Sequence, residues 1–181
     1  MTQTMPLTRD QVTQLVDDWF RALDEHAPTE QLLAMLVDDG LEMRMPEITL
    51  RSHDEFRTWY ETTITNRYFD ETEEVQSLDV TVDGARADVR MVTRWRARRW
   101  NPPAPRSEQV DYTSTKSWVV ECSPETGSPI ISRYVVEEFR SERGVCSAVT
   151  GRGADAPPDV ALVSRHCCGN VPPGTRGASR R

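Results

Sequence analysis

The segment Val82-Asp83-Gly84-Ala85 constrains the fold more than any other part of the chain. Asp-Gly between two segments of alternating polarity favours a two-residue type I′ hairpin turn, and such a turn fixes the pairing of the strands on either side. With Val82 opposite Ala85, one face of the predicted hairpin is mainly apolar. It carries the pairs Val80/Ala87, Leu78/Val89, Gln76/Met91, Glu74/Thr93 and Thr72/Trp95. This face should pack on other elements while the opposite face meets solvent.

The opposite face of the predicted hairpin is charged. Its pairs Ser77/Arg90, Glu73/Arg94 and Glu71/Arg96 mostly set acids against arginines, whereas Asp79/Asp88 would place two like charges together. We therefore interpret the arginine-rich run 86–99 as a charge-paired solvent face rather than a nucleic-acid surface. The net charge of −7 also argues against nucleic acid as a partner, because such a surface needs a basic face.

Three helices are predicted before the hairpin and two strands after it. Thr8 with Gln11 and Ser52 with Glu55 are typical helix-capping pairs, and Pro28 suits the first turn of a second helix. That second helix is predicted to run to about Val37, followed by a short strand over residues 41–46. The later strands are predicted over 107–122 and 129–140. Residues 1–142 are thus predicted to form an α+β domain, a cone-shaped, curved antiparallel sheet around three N-terminal helices.

The remaining residues, 143–181, contain six of the nine glycines and only one short apolar run. Such a composition buries too little apolar surface to offset the entropy of ordering, so this segment is predicted to be a disordered tail.

The order of helix, helix, short strand, helix and long meander resembles the nuclear transport factor two-like superfamily, and within it the SnoaL-like proteins. The resemblance rests on residues 37–46 (VDDGLEMRMP), 52–60 (SHDEFRTWY) and the hairpin over 68–100. It implies a cone-shaped domain with a pocket for a small molecule, and a homodimer. The superfamily includes isomerases, cyclases, dehydratases, hydrolases and non-catalytic binding modules, so the resemblance implies no single activity.

One position departs from the best-known mechanism in this superfamily. Members that resemble ketosteroid isomerase place a general-base aspartate directly before the proline that ends the short first strand. This chain has Met45 there, before Pro46, and a thioether cannot accept a proton at physiological pH. Met45, with Leu41 and Met43, is instead predicted to line an apolar cavity.

Two charged residues on the predicted inner face are candidates for catalysis. Glu74 and Lys116 would lie among apolar neighbours, where a carboxylate and an ammonium alter each other's pKa and can act as base and acid. The alternative is that Lys116 extends to the rim and that Glu74 sits in water at the mouth. His26 and His53 are interpreted as structural residues at helix ends. The residues predicted to contact the substrate are Trp19, Met43, Met45, Tyr60, Gln76, Thr93, Trp95 and Tyr112.

The predicted function is therefore cofactor-independent acid/base chemistry (isomerase, cyclase, dehydratase or hydrolase) on a small hydrophobic metabolite. The alternative is a non-catalytic, dimeric binding or assembly module, which Met45 in the base position favours. No metal site is predicted, because the four cysteines lack zinc-site spacing. A homodimer through the charged outer face is expected, with Val75, Val92 and Trp100 as its apolar seam. No membrane partner is expected, and the absence of a visible leader or long apolar run makes the cytoplasm the expected location.

Overall fold

The computed structural model describes residues 6–142, so the predicted tail over 143–181 lies outside the described residues. Helix α1 spans Arg9–Asp24 and begins at Thr8, whose hydroxyl accepts the Gln11 amide while the Gln11 side chain accepts the Thr8 amide. The predicted capping box is confirmed. The buried face of α1 includes Val12, Val16 and Trp19, as the helical spacing of apolar residues predicts.

Helix α2 is shorter than predicted. It spans Thr29–Leu33 and stops before the apolar residues that follow it. Leu36 and Val37 instead contact the sheet, where Leu36 forms a parallel bridge with Ile131 and the Val37 amide donates to the Ile131 carbonyl at 3.0 Å. Because residues 36 and 37 pair with a strand of the sheet, the helix ends earlier than the spacing of its apolar residues predicts.

A small hairpin and a third helix complete the N-terminal half. Strand β1 spans Glu42–Arg44 and pairs with β2, Thr49–Leu50, which the sequence analysis did not predict. Helix α3, His53–Trp59, begins at Ser52, whose hydroxyl accepts the Glu55 amide as predicted. It continues through a π-helical turn, Tyr60–Ile64, into α4, Thr65–Arg67.

Four long strands form the rest of the sheet: β3 (Tyr68–Asp83), β4 (Arg86–Arg99), β5 (Glu108–Cys122) and β6 (Pro129–Ser141). The six strands have the order β2-β1-β6-β5-β4-β3. All pairs are antiparallel except β1 with β6, which is parallel and makes the sheet mixed. The predicted α+β cone is confirmed.

The turn between β3 and β4 differs from the prediction by one residue. The two turn residues are Gly84 and Ala85, with Asp83 paired to Arg86. Gly84 has φ +58°, and glycine at the first central position is typical of a type II′ turn. Near the turn each β3 residue therefore meets a partner two positions later in β4 than predicted.

A β-bulge at Gln76 then changes which β3 residues face inward. Ser77 pairs with Val92 and Val75 with Thr93, so Gln76 is an extra residue on β3. An extra residue reverses the alternation of faces as far as the next irregularity, between Phe69 and Thr72, because side chains alternate with a period of two. Glu73 and Val75 consequently point into the cone and Glu74 points out. The predicted inward position of Glu74 is wrong.

Aromatic side chains fill the inside of the cone. Trp19 of α1 contacts Trp118 of β5 and Tyr134 of β6, with ring centroids 6.2 Å and 6.1 Å away, and Phe56 of α3 packs on Trp19 at 5.9 Å. These four residues are at most 6% exposed. No helix within residues 6–142 is long and apolar enough to cross a membrane.

Candidate functional site

A buried ion pair lies on the inner face of the sheet. The Lys116 ammonium, on β5, donates to Glu73 Oε1, on β3, and the two side chains are only 6% and 8% exposed. Thr93 of β4 lies between those strands and donates to the same oxygen at 2.6 Å. The Thr93 hydroxyl is also 3.0 Å from the Ser114 hydroxyl. Thr93 thus gives the Glu73 carboxylate a second hydrogen bond and helps to fix its orientation.

Burial opposes the positive charge of Lys116, and two neighbouring groups favour it. Burial lowers the pKa of the Lys116 ammonium below its ordinary value, and the negative charge of Glu73 counteracts part of that fall. The Lys116 Nζ also lies 4.8 Å from the centroid of the Phe20 ring, where the aromatic face favours a cation. Lys116 is therefore a group for which proton loss costs less than it does in water.

Asp24, the last residue of α1, joins this group from the helix side. Its Oδ2 accepts the backbone amide of Glu73 at 3.0 Å. Burial raises the pKa of the Asp24 carboxyl above its ordinary value; the Glu73 amide opposes this rise and the Glu73 charge adds to it. The Asp24 carboxyl thus lies against the backbone of Glu73, and only the Glu73 carboxylate is directly paired with the lysine.

A groove between α1 and β3 gives solvent access to these carboxyl groups. Its volume is about 470 Å³. The residues that line it are Asp17, Phe20, Arg21, Asp24, Glu25, Glu73 and Val75. The groove is acidic at its rim, with Phe20 and Val75 as its apolar part, so it differs from the apolar cavity that the sequence analysis predicted.

A second ionisable pair, His26 and Glu71, lies beside the first. His26 is two residues after Asp24, and Glu71 is two residues before Glu73 on β3. His26 Nε2 is 2.6 Å from Glu71 Oε1, and the Trp95 indole N–H donates to Glu71 Oε2 at 2.9 Å. The Glu71 side chain is 5% exposed and the His26 side chain 26%. Burial raises the pKa of the Glu71 carboxyl, and the hydrogen bonds from His26 and Trp95 oppose that rise.

Of the two residues predicted for catalysis, one lies where it was expected and the other does not. Lys116 lies on the inner face as expected, but Glu74 is 62% exposed and pairs with Arg96 at 3.5 Å. The bulge at Gln76 turns Glu73 inward, and its carboxylate makes the contact with Lys116 that was expected of Glu74. Gln76 itself is exposed at the bulge, while Thr93 is fully buried beside Glu73.

The other residues predicted to bind a substrate do not line the groove. Trp19, Met43 and Tyr60 belong to the packed core, and Met45 is half-buried against it. Trp95 and Tyr112 lie together in a separate aromatic cluster near Tyr68, with ring centroids 6.3 Å apart. The Tyr60 hydroxyl donates to the Ala27 carbonyl at 2.9 Å, and burial raises its pKa to about 12. Tyr60 is thus held as a neutral donor within the core.

Sequence reasoning missed Asp24, Glu73, Glu71 and His26 as members of this site. One warning was visible in the sequence, because the predicted register set Asp79 opposite Asp88. In the structure Asp79 faces Arg90 instead, and Asp83 faces Arg86. A search for the register that pairs these charges would have moved the turn to Gly84-Ala85. It would not have revealed the bulge at Gln76, which turns Glu73 inward.

Within the described part of the chain, no group of three or more His, Cys, Asp or Glu side chains is placed to hold a metal ion. The charged side chains described above form two separate pairs, Lys116 with Glu73 and His26 with Glu71. The chemistry that this geometry supports is proton transfer between side chains and a small molecule.

Solved structures show which fold family this architecture matches. An NTF2-like superfamily protein from Salmonella enterica serovar Typhimurium superposes with a TM-score of 0.60 at 18% sequence identity, covering 80% of this chain and 95% of that one. Hexachlorocyclohexane dehydrochlorinase LinA-type3 from Novosphingobium barchaimii gives a TM-score of 0.61 at 13% identity, covering 76% and 91%. A LinA Type2 dehydrochlorinase gives 0.62 at 14% identity, covering 80% and 95%.

These likenesses establish the fold: the chain has the α+β cone fold of the NTF2-like superfamily, as its resemblance to that superfamily predicts. A scan against protein-family models found no match, and a search of curated proteins found no matching relative.

Proposed function

We propose that the protein is a cofactor-independent acid/base enzyme that acts on a small molecule bound in the groove between α1 and β3. One observation carries the proposal: the buried pair of Lys116 and Glu73 has a third ionisable group beside it, because the Asp24 carboxylate accepts the Glu73 backbone amide and both Asp24 and Glu73 line the groove. A buried charge pair of this kind is a weak source of stability, because desolvation offsets much of its attraction. Perturbed groups gathered in a cleft are typical of catalytic sites.

In this proposal the two carboxyl groups have different roles. Glu73, held by Lys116 and Thr93, is the base that removes a proton from a carbon of the substrate. The electron pair left on carbon moves to an adjacent carbonyl oxygen or expels a leaving group. Asp24, whose raised pKa favours its protonated form, donates a proton to that oxygen or leaving group. In an isomerisation, Glu73 then gives its proton to another substrate carbon and Asp24 takes back the proton from the enol oxygen. In an elimination, Glu73 releases its proton to solvent and Asp24 takes one up from solvent.

The groove also narrows the proposed substrate class. Phe20 and Val75 offer an apolar contact, while the acidic rim disfavours a negatively charged ligand. The expected substrate is therefore neutral or cationic, with an apolar body and an acidic C–H next to a carbonyl or a leaving group. This revises the purely hydrophobic metabolite that the sequence suggests.

Deuterium exchange tests the proposal whatever the final product of the reaction is. The protein is incubated in D2O with a panel of neutral and cationic cyclic compounds that carry an acidic C–H next to a carbonyl or a leaving group, and loss of C–H signal is followed by NMR. Wild type and E74Q should catalyse exchange on at least one compound, and E73Q should lose it by about 100-fold or more. Exchange that survives in E73Q, or a folded wild type inert toward the whole panel, would contradict the proposal.

A second candidate function is favoured by the filled interior of the cone. Trp19, Trp118, Tyr134 and Phe56 occupy the space in which a deep pocket would lie. On this alternative the chain is a non-catalytic binding or assembly module, and the Lys116–Glu73 pair fixes the packing of the sheet. Binding of a panel compound, seen as a rise in melting temperature, without any exchange would support it.

We also propose a homodimer formed through the outer face of the sheet. A groove of about 430 Å³ lies there, lined by arginines 44, 86, 90 and 133 with Asp88 and Glu137. Val119 and Val135 lie between these charges, Val92 is half-buried on the same face, and Trp100 is 45% exposed. Val75, which was expected in this seam, has turned inward with the bulge at Gln76. A second copy could meet both the apolar and the charged parts of this self-complementary surface.

A further inference from the structure

Two backbone positions of unusual geometry flank one contact in this protein. Among the described residues other than glycine, only His26 (φ +50°) and Asp70 (φ +52°) have a positive φ. His26 follows the end of α1, and Asp70 precedes Glu71 within a bulge of β3 between Phe69 and Thr72. Strained conformations of this kind cluster at functional sites. Here both lie next to the hydrogen bond between His26 and Glu71.

The position of His26 is one at which helices prefer glycine. The Ala27 amide donates to the Ala22 carbonyl at 2.9 Å and the His26 amide to the Leu23 carbonyl at 3.1 Å, which closes the last turn of α1. The residue that makes this left-handed closure is usually glycine, since the Cβ of any other residue strains the backbone there. Glycine would relieve the backbone at this position, whereas histidine brings a side chain that reaches Glu71.

The imidazole is oriented from one side only. Glu71 Oε1 takes the Nε2 side of the ring, and the second oxygen of Glu71 is held by Trp95, so the carboxylate cannot rotate freely. No hydrogen bond from another described residue reaches His26 Nδ1, and the side chain remains 26% exposed. A carboxylate that accepts Nε2–H leaves the lone pair of a neutral imidazole on Nδ1.

We propose that His26 is a second proton-transfer residue of the site, with Glu71 as the residue that positions it. The proposal rests on the proposed acid/base function and extends it, because Asp24 and Glu25 of the groove directly precede His26 and Glu73 lies two residues from Glu71. The Nδ1 of His26 accepts a proton from a hydroxyl or carbon acid of the groove ligand and later returns it to the product or to solvent. No other reactant is consumed in this step.

The groups that face this pair come from three elements. Asp24 on α1 and Tyr60 on the π-helical turn interact electrostatically with Glu71, and Trp95 on β4 binds it directly. Asp24 also contacts Glu73 of the first pair. Asp24 thus links the two pairs, and a ligand that extends from the groove past Glu25 would reach His26.

The test uses His26→Gly, since glycine relieves the backbone at this position. H26G should remain folded, because the backbone strain that glycine relieves offsets part of the hydrogen bond lost to Glu71, and it should lower deuterium exchange on the active panel compound by about 100-fold. Added imidazole should restore part of that loss, because the variant leaves an imidazole-sized space. The matched control is His53→Ala, the other described histidine, which has its own carboxylate contact with Asp38 at 3.5 Å and should exchange like wild type.

Nitrogen-15 NMR of the ligand-free protein gives a second readout. The His26 ring should show its proton on Nε2 and a lone pair on Nδ1 at a pH where it is neutral. A proton on Nδ1, or an H26G variant that exchanges as fast as wild type while E73Q is inactive, would overturn the inference alone. H26G that unfolds more easily and is not rescued by imidazole would assign His26 a structural role. Wild type that is inert toward every compound would remove the proposed function and this inference together.

Discussion

At the scale of single residues, burial shifts the pKa values of ionisable side chains in and beside the groove between α1 and β3. Asp24 and Glu71 both have pKa values raised by burial, and Lys116 has a pKa lowered by burial. Each shift favours the neutral form of the group, so all three residues hold or release protons nearer to neutral pH than they would in water. The ion pair with Glu73 opposes the shift of Lys116, because the negative charge of Glu73 stabilises the protonated ammonium.

The raised pKa of Asp24 predicts a specific pH dependence of stability. Because the folded protein holds the Asp24 proton to a higher pH than the unfolded chain, the associated stability is fully present below pH 3.8 and is lost as pH rises through the folded-state pKa. Asp24→Asn lacks this titration and can still accept the Glu73 amide. The unfolding free energy of wild type minus that of D24N should therefore fall as pH rises.

Urea denaturation between pH 3.5 and pH 7 measures this difference. Asp17→Asn, at an exposed position of the same helix and groove, is the matched control. A difference between wild type and D24N that stays constant or grows with pH would show that Asp24 is not desolvated in the folded protein.

At the scale of secondary-structure elements, the sequence predicts local structure well and strand register less well. The caps at Thr8 and Ser52 were predicted because the hydrogen bonds that start a helix involve residues three positions apart. The register of β3 with β4 depends on tertiary packing as well, and the extra residue at Gln76 has no local signature. Which carboxylate entered the cone was therefore decided by a feature that the sequence alone did not reveal.

Deletion of single residues from β3 tests the bulge at Gln76. Without Gln76, Val75 stays opposite Thr93 and Glu73 keeps its inward position, so ΔGln76 should lower the unfolding free energy by no more than about 1 kcal/mol. Deletion of Thr81, in a regular part of the strand, should cost more than about 2 kcal/mol because it moves Asp79 into the buried place of Val80. Equal losses in the two deletions, measured by urea denaturation, would argue against the bulge.

At the scale of the whole molecule, the charge pattern of the sheet separates two surfaces. The inner face is apolar apart from the groups described above, and the outer face alternates arginines with acids. Pairs such as Arg94 with Asp111, held by two hydrogen bonds of 2.9 Å, make the outer face an ordered surface. A flat, ordered and partly apolar face is suited to meeting a second copy of the chain.

Sedimentation equilibrium tests the proposed dimer. The full chain should sediment as a dimer at about tens of micromolar, a range suited to a standard-sized interface. Val92→Arg should shift it to a monomer, since a charge would then be buried in the seam without a partner. Gln14→Arg, on the exposed side of α1, should leave the dimer intact. A monomeric wild type would exclude this interface.

The prediction for the C-terminal residues concerns stability. Deletion of residues 143–181 should change the melting temperature by no more than about 2 °C, because their composition offers little apolar surface to bury. Deletion of residues 140–181 is the control and should lower it further, since it removes the pairing of Arg140 with Thr113 and of Ser141 with Tyr112. A loss of several degrees in the shorter deletion would mean that residues 143–181 pack on the domain.

The most direct test of the site is a titration of Lys116 by NMR. Lys116 is the only lysine in the chain, so lysine labelled with nitrogen-15 and carbon-13 gives a single side-chain signal. The structure predicts that this amine titrates below the ordinary value of 10.5, that E73Q lowers the midpoint further, and that E74Q leaves it unchanged. A midpoint at the ordinary value in wild type, or a response to E74Q rather than E73Q, would contradict the buried pair on which the proposed function depends.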